Sequence, residues 1–171
     1  FSWPVGATEA DRAGAGVPLG WYMAVGFDEE YVVNGRAAVH PGLDLSDVRG
    51  GDSDLGAPVY AAADGVVVAS LYSPESWGNI VMVRHDDVPG YGTLWSQYAH
   101  LQSWAVPRGE TVSRGQVLGF VGKGAGNRFL AHIHFEIRVA NLAATYWPGN
   151  NHAKVRAYYI NPLEVLGREL A

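Results

Sequence analysis

The segment HIHFEIRV (132–139) alternates ionisable and apolar side chains almost without a break, which is the signature of a half-buried β-strand. Successive side chains on a strand point to opposite faces, so His132 and His134 share one face while Ile133 and Phe135 share the other. The apolar pair is expected to face the core. Two imidazoles on one strand face stand about 7 Å apart at Cα, close enough for both to bind one metal ion, or for one to bind while the other addresses its water. Spacing alone leaves both arrangements open. Glu136 falls on the same face, where an outward, solvated carboxylate is the expected role and a carboxylate supporting the histidines from behind is the alternative.

The neighbouring segments read the same way. APVYAAADGVVVASL (57–71) gives two short strands around an Asp64-Gly65 turn, and NIVMVRH (79–85) a third that ends before DDVPGYG. TLWSQYAHL (93–101) is another strand, and GETVSRGQVLGFVG (109–122) is a strand, a turn and a strand. Six or more antiparallel strands result. With 22 Gly and nine Pro between short Val-, Tyr- and Trp-rich runs, the fold class is all-β. Residues 1–39 and 141–160 read mostly as loop, the first with short strands and wrapping the core. One short helix is expected over NPLEVLGREL (161–170), with Asn161 as N-cap, Pro162 in the first turn and Glu164 as the capping acid.

At 171 residues, 48% hydrophobic and 17% charged, the chain suits one domain over 1–171 with a real core, and it has no apolar run long enough to span a bilayer. A net charge of −5 argues against nucleic acid, which is tracked by clustered Lys and Arg. The absence of cysteine removes disulfides, thiol nucleophiles and thiolate metal sites, so any metal must be held by His and carboxylates. Phe1 opens the chain without Met or a signal pattern, as in a mature or excised piece.

Six histidines are present: His40, His85, His100, His132, His134 and His152. HPGLD (40–44) puts an imidazole and a carboxylate four residues apart, roughly 13 Å along a straight strand, too far to share an ion. Pro41 and Gly42 disfavour a helix and suit a bend, so His40 and Asp44 can meet only if the chain curves there. Together with one histidine of 132–134 they would make three protein ligands and leave a fourth position open, as catalytic zinc requires. His85 and His152 read as structural or surface residues. Trp77, Trp95 and Trp104 are read first as core, with a substrate groove as the other use of their rings.

In order, HPGLD, GAPVYAAADGVVV, WGNIVMVRH, YAHL, GETVSRGQVLGFVG, HIHFE and NPLEVL resemble the lysostaphin-type, or LytM-like, zinc endopeptidases of bacterial cell walls. The resemblance covers residues 40–139 and the C-terminal NPLEVL. It implies a small antiparallel two-sheet β sandwich with His40, Asp44 and His134 as Zn2+ ligands and His100 and His132 as the catalytic histidines. It also implies hydrolysis of peptide bonds in peptidoglycan stems or cross-bridges by a zinc-bound water, outside the cytoplasm; a monomer is the expected oligomeric state. Residues 1–39 would then wrap a metallopeptidase core at 40–139, and 140–171 would follow as loop and short helix. Two departures stand out. KGAGNRFLAHIHF (123–135) replaces the usual TGxSTGPHxHF, changing the loop at Gly124, Asn127 and Arg128, and the tyrosine some members carry six residues before the first ligand is here Asn34.

Two rivals remain at this level. A non-catalytic cell-wall binding or regulatory domain would share the fold, although such relatives usually lack ligands that are all present here. A biotinyl- or lipoyl-type carrier would need a lysine at an exposed hairpin tip, and neither Lys123 nor Lys154 falls at one.

Overall fold

The computed structural model describes residues 1–168 and 170. It contains α1 (Glu9–Ala13), β1 (Trp21–Val25), β2 (Glu30–Val33), β3 (Arg36–Val39), β4 (Leu43–Asp47), β5 (Pro58–Tyr60), β6 (Gly65–Ser73) and β7 (Gly78–Val88). β8 (Gly92–Trp104), β9 (Thr111–Val112), β10 (Val117–Val121), β11 (Ile133–Arg138), α2 (His152–Tyr158) and β12 (Tyr159–Ile160) complete it. The mostly antiparallel, helix-poor reading holds. Among the described residues, ten strands join one antiparallel sheet whose main path runs β1-β4-β11-β8-β7-β6-β9, with β10 beside β8 and β5 and with β12 beside β11. A separate ribbon pairs β2 with β3.

β11 sits between β4 and β8, and its register decides the site. His134 lies across from Asp44 on one side and from Ala99 on the other. Its apolar face packs as expected: Ile133, Phe135 and Ile137 are fully buried with Leu43, Leu45, Val81, Val83 and Tyr98. The N-terminal segment closes over this core through buried Trp3 and Val5, with Ser2 N donating to Ala62 O and Tyr60 N to Pro4 O.

Three local expectations need correction. A helix forms at His152–Tyr158, inside the segment read as loop, because Asn151 caps it by accepting from Lys154 N at 2.9 Å. A single helical turn also forms at Glu9–Ala13 through a Thr8/Asp11 capping box. The expected C-terminal helix reduces to a 3-10 turn at Pro162–Glu164; Asn161 does cap it, but Gly167 takes a left-handed φ of 64°, and Glu169 lies outside the described residues.

The bend expected in HPGLD is present between β3 and β4, and Gly42 is what lets it dock. A Cβ at Gly42 would lie 2.3 Å from Phe135 O and 2.8 Å from the Glu136 Cβ, so β4 could not approach β11. Gly42→Ala should therefore lower unfolding stability in urea by about 1–3 kcal/mol, as overpacking of a closed core does; a change under about 0.5 kcal/mol would contradict this packing account.

Candidate active site

The bend after β3 and the register of β11 bring three side chains from separate elements to one point. His40 Nε2 lies 3.0 Å from Asp44 Oδ1 and 3.0 Å from His134 Nδ1, and His134 Nδ1 lies 2.9 Å from Asp44 Oδ1. The outer nitrogens explain why the inner ones converge. His40 Nδ1 donates to Gly26 O at 3.1 Å and His134 Nε2 donates to Glu136 Oε2 at 2.9 Å, so each neutral imidazole turns a lone pair inward. Asp44 contributes a carboxylate oxygen. Three acceptors this close repel one another unless a positive charge lies among them.

Without a metal, a proton partly fills that role. Burial opposes the charged form of His134, but hydrogen bonds to Asp44 and Glu136 outweigh it and hold the pKa up to about 9. Burial likewise pushes Asp44 upward and is overcome, first by electrostatic attraction to the His40 ring and then by hydrogen bonds with His134 and His40, which leaves its carboxyl well below the ordinary range. A tetrahedral zinc with bonds of about 2.0–2.1 Å sets its donors about 3.3 Å apart, a few tenths more than the triangle here. The donor set, its spacing and the groups behind it therefore fit a zinc ion.

His100 reaches the same place by a less regular route. Ala99 and His134 are cross-strand partners, so strict alternation would turn His100 to the opposite face. Instead Asn79 pairs with Leu101 and Val81 with Tyr98, leaving Ala99 and His100 opposite the single residue Ile80, and His100 takes φ +63°. This bulge re-aims its ring, which lies 4.8 Å from the His132 ring and 5.7 Å from that of His134. His100 Nδ1 donates to Trp77 O at 3.1 Å, and His132 Nδ1 to Leu130 O at 2.9 Å. Both present Nε2 as a proton acceptor. Burial first, then the neighbouring histidine charges, keep His100 neutral by holding its pKa well below the usual histidine value. His132, just before β11, is more exposed than His134, and its Nε2 stays 3.8 Å from Asp44 Oδ2.

All five side chains line a groove of about 460 Å³. One wall is the β2–β3 ribbon, turned at Asn34-Gly35 with φ of 52° and 73°, whose tip donates from Asn34 Nδ2 to Ser76 Oγ at 3.2 Å. Trp77, Phe129 and Trp147 supply apolar surface. Trp77 thus serves the groove, edge-on to His134 at 5.3 Å, while Trp95 packs half-buried in a satellite cluster and Trp104 is exposed.

Sequence reasoning missed one feature of the groove and ranked the role of another second. Tyr31, nine residues before His40, lines the groove edge-on to the His40 ring at 5.2 Å, and its phenol stays protonated because burial raises its pKa to about 12. Glu136, expected outside in solvent, is fully buried against His134 and Arg138. A signal was there to find: 132, 134, 136 and 138 are all ionisable, on one face of a strand whose other face is wholly apolar. His85 and His152 lie apart from the site. His85 is a buried member of a chain to Ser96 and Tyr98, and His152 pairs with Asp28 at 2.8 Å on the surface.

Residues 38–146 match the family model for Peptidase family M23. Over 121 residues the chain is 34% identical to the Peptidoglycan DD-endopeptidase ShyA of Vibrio cholerae, covering 70% of this chain and 25% of that one. The chain spans about a quarter of the length of this relative and of the Vibrio cholerae endopeptidases ShyC and ShyB. Among solved structures it is similar to a zinc containing peptidase from Vibrio cholerae, with a TM-score of 0.55, 29% identity and coverage of 73% and 36% of the two chains. It also shares its fold with the antimicrobial peptidase lysostaphin from Staphylococcus simulans, with a TM-score of 0.62, 21% identity and coverage of 85% and 48%.

The left-handed backbone at His100 separates two roles of that residue. His100→Gly should be more stable to urea than His100→Ala by about 1 kcal/mol, since only glycine relieves the strain. An alanine variant as stable as the glycine variant would contradict the bulge geometry.

Proposed function

This chain belongs to peptidase family M23, and we propose on that basis that it is a zinc metalloendopeptidase cleaving peptide bonds in peptidoglycan stems or cross-bridges. The observation that carries the reading is the meeting of three inward-facing acceptors, from His40, Asp44 and His134, in a groove that also holds the free Nε2 atoms of His100 and His132. The substrate class is supported by the peptidoglycan endopeptidase among the relatives, and it implies work outside the cytoplasm. We also read the chain as a monomeric single unit in which residues 1–39 wrap a metallopeptidase core at 40–139. The large sheet is read as folded over into the two layers of a sandwich. Side chains of β4, β7, β8 and β11 share one core with Val59 of β5, Val112 of β9 and Leu118 of β10, which supports that reading.

His40, Asp44 and His134 would hold the ion, with Gly26 O and Glu136 keeping both imidazoles in the ligand tautomer. Zinc supplies Lewis acidity: it polarises a carbonyl and brings the pKa of water near neutrality. The remaining work falls to the chain. His100 and His132, each tied at Nδ1 to a main-chain carbonyl, accept a proton at Nε2 and can then donate it to the leaving amine. Tyr31 is the donor assigned to the developing oxyanion, in place of the tyrosine missing at position 34. Trp77, Phe129 and Trp147 flank the peptide and keep bulk water off it.

Digestion of purified peptidoglycan, followed by mass spectrometry of released muropeptides, tests this reading. Wild type should release cross-link fragments, chelator should abolish release and added zinc should restore it. His100→Ala and His132→Ala should each lower the rate about 100-fold or more. Tyr31→Phe should lower kcat about 100-fold with less effect on KM. Wall binding without fragments, indifferent to chelator, would instead favour the non-catalytic binding domain.

A further inference from the structure

Behind His134 the strand continues with charge where a small β protein ordinarily buries aliphatic side chains. Glu136 and Arg138 follow on the same face of β11, and both are 0% exposed. Glu136 bridges in two directions: Oε2 accepts from His134 Nε2 at 2.9 Å, and Oε1 accepts from the Arg138 guanidinium at 2.7 Å. Arg138 directs its other donors to the chain that follows, with 2.8 Å to Ala143 O and 3.3 Å to Leu142 O. That segment leads into Thr145 and Trp147 of the groove wall. One carboxylate and one guanidinium thus join a candidate metal ligand to the surface on which a substrate would lie.

Stability is a poor explanation for this pair. Desolvating two charges offsets most of their attraction, and apolar side chains of similar size often serve as well or better. The surroundings add further cost. Gln97 lies across from Glu136 and Tyr159 across from Arg138, and the buried amide of the one and hydroxyl of the other have no hydrogen-bond partner among the described residues. A strand face this polar and this enclosed is better explained by what it positions.

We propose that Glu136 and Arg138 are positioning residues that hold His134 in its metal-binding tautomer and tie it to the 142–147 groove wall, so that metal binding and ordering of that wall are coupled. Glu136 accepts the Nε2 proton, which keeps Nδ1 free for the ion, and Arg138 fixes the carboxylate while gripping the wall. This rests on the metal-binding part of the proposed function, and its test does not depend on peptidase activity.

Three proteins would be compared: wild type, Glu136→Gln, and the double variant Glu136→Leu/Arg138→Met, which removes both charges together and so leaves neither unpaired. Zinc affinity would be read by competition with a chromophoric chelator, metal-free stability by urea unfolding, and the wall by hydrogen exchange of residues 142–147 with and without zinc. Both variants should bind zinc about 10- to 100-fold more weakly than wild type. The double variant should match or exceed wild type in metal-free stability, and zinc should slow exchange across 142–147 in wild type but not in that variant. Zinc binding as tight as wild type in the variants, or zinc-dependent protection of 142–147 that survives the double substitution, would overturn the proposal. Lower stability with unchanged affinity would assign the pair a purely structural role. A wild-type chain that bound no zinc would remove the metal reading itself, and this coupling with it.

Discussion

Three acceptor atoms buried within 3.0 Å of one another demand a shared positive charge, and the rest of the architecture serves that constraint. Left alone they would repel, so the fold must force them together and supply a cation to hold them. The protein does the first with backbone. The bend at Pro41-Gly42 folds Asp44 back towards His40, and the β4–β11 register sets His134 opposite Asp44. Gly42 then permits a strand approach that any side chain would block. The second is left to a proton in the metal-free chain, as the raised pKa of His134 reports, and to zinc in the proposed enzyme.

The same constraint explains where the structure departs from regularity. A sheet of perfect alternation cannot bring His100, His132 and His134 to one side, because His100 stands next to a residue that already shares the His134 face. The bulge opposite Ile80 solves the geometry at the cost of a left-handed histidine. Ser76, in the turn before Trp77, also takes a positive φ of 128° and anchors the hairpin tip through Asn34. Three of the six described non-glycine residues with positive φ, Asn34, Ser76 and His100, thus line the groove, as expected where local conformation is set by a site.

Much of the fold was legible because two-residue alternation is a strong signal. HIHFEIRV, NIVMVRH and TLWSQYAHL became paired strands, and HPGLD bends at the Pro41-Gly42 pair whose chemistry suits a bend. The short helices were not, since five or seven residues carry little periodicity and depend on caps at Thr8 and Asn151. The site was legible in part. Spacing put His132 and His134 on one face but could not choose between them, and the preference for His134 came from family resemblance. The structure adds a physical reason: His134 is buried opposite Asp44 with Glu136 behind it, whereas His132 precedes the strand and stays partly open to solvent. Glu136 was misread because a carboxylate is seldom buried without a partner, and its partner, Arg138, is recognisable only once both are seen to share an enclosed face. Tyr31 was out of reach because its place at the groove depends on how the β2–β3 ribbon folds over His40.

The account turns on where a metal ion binds. Diffraction from zinc-soaked crystals, collected on either side of the zinc absorption edge, locates that ion directly through its anomalous difference peak. The predicted result is one strong peak bonded to His40 Nε2, an Asp44 carboxylate oxygen and His134 Nδ1 at about 2.0–2.2 Å, with no bond to His132 or Glu136. A peak centred on His132 or Glu136, or no peak at this triangle, would contradict the account.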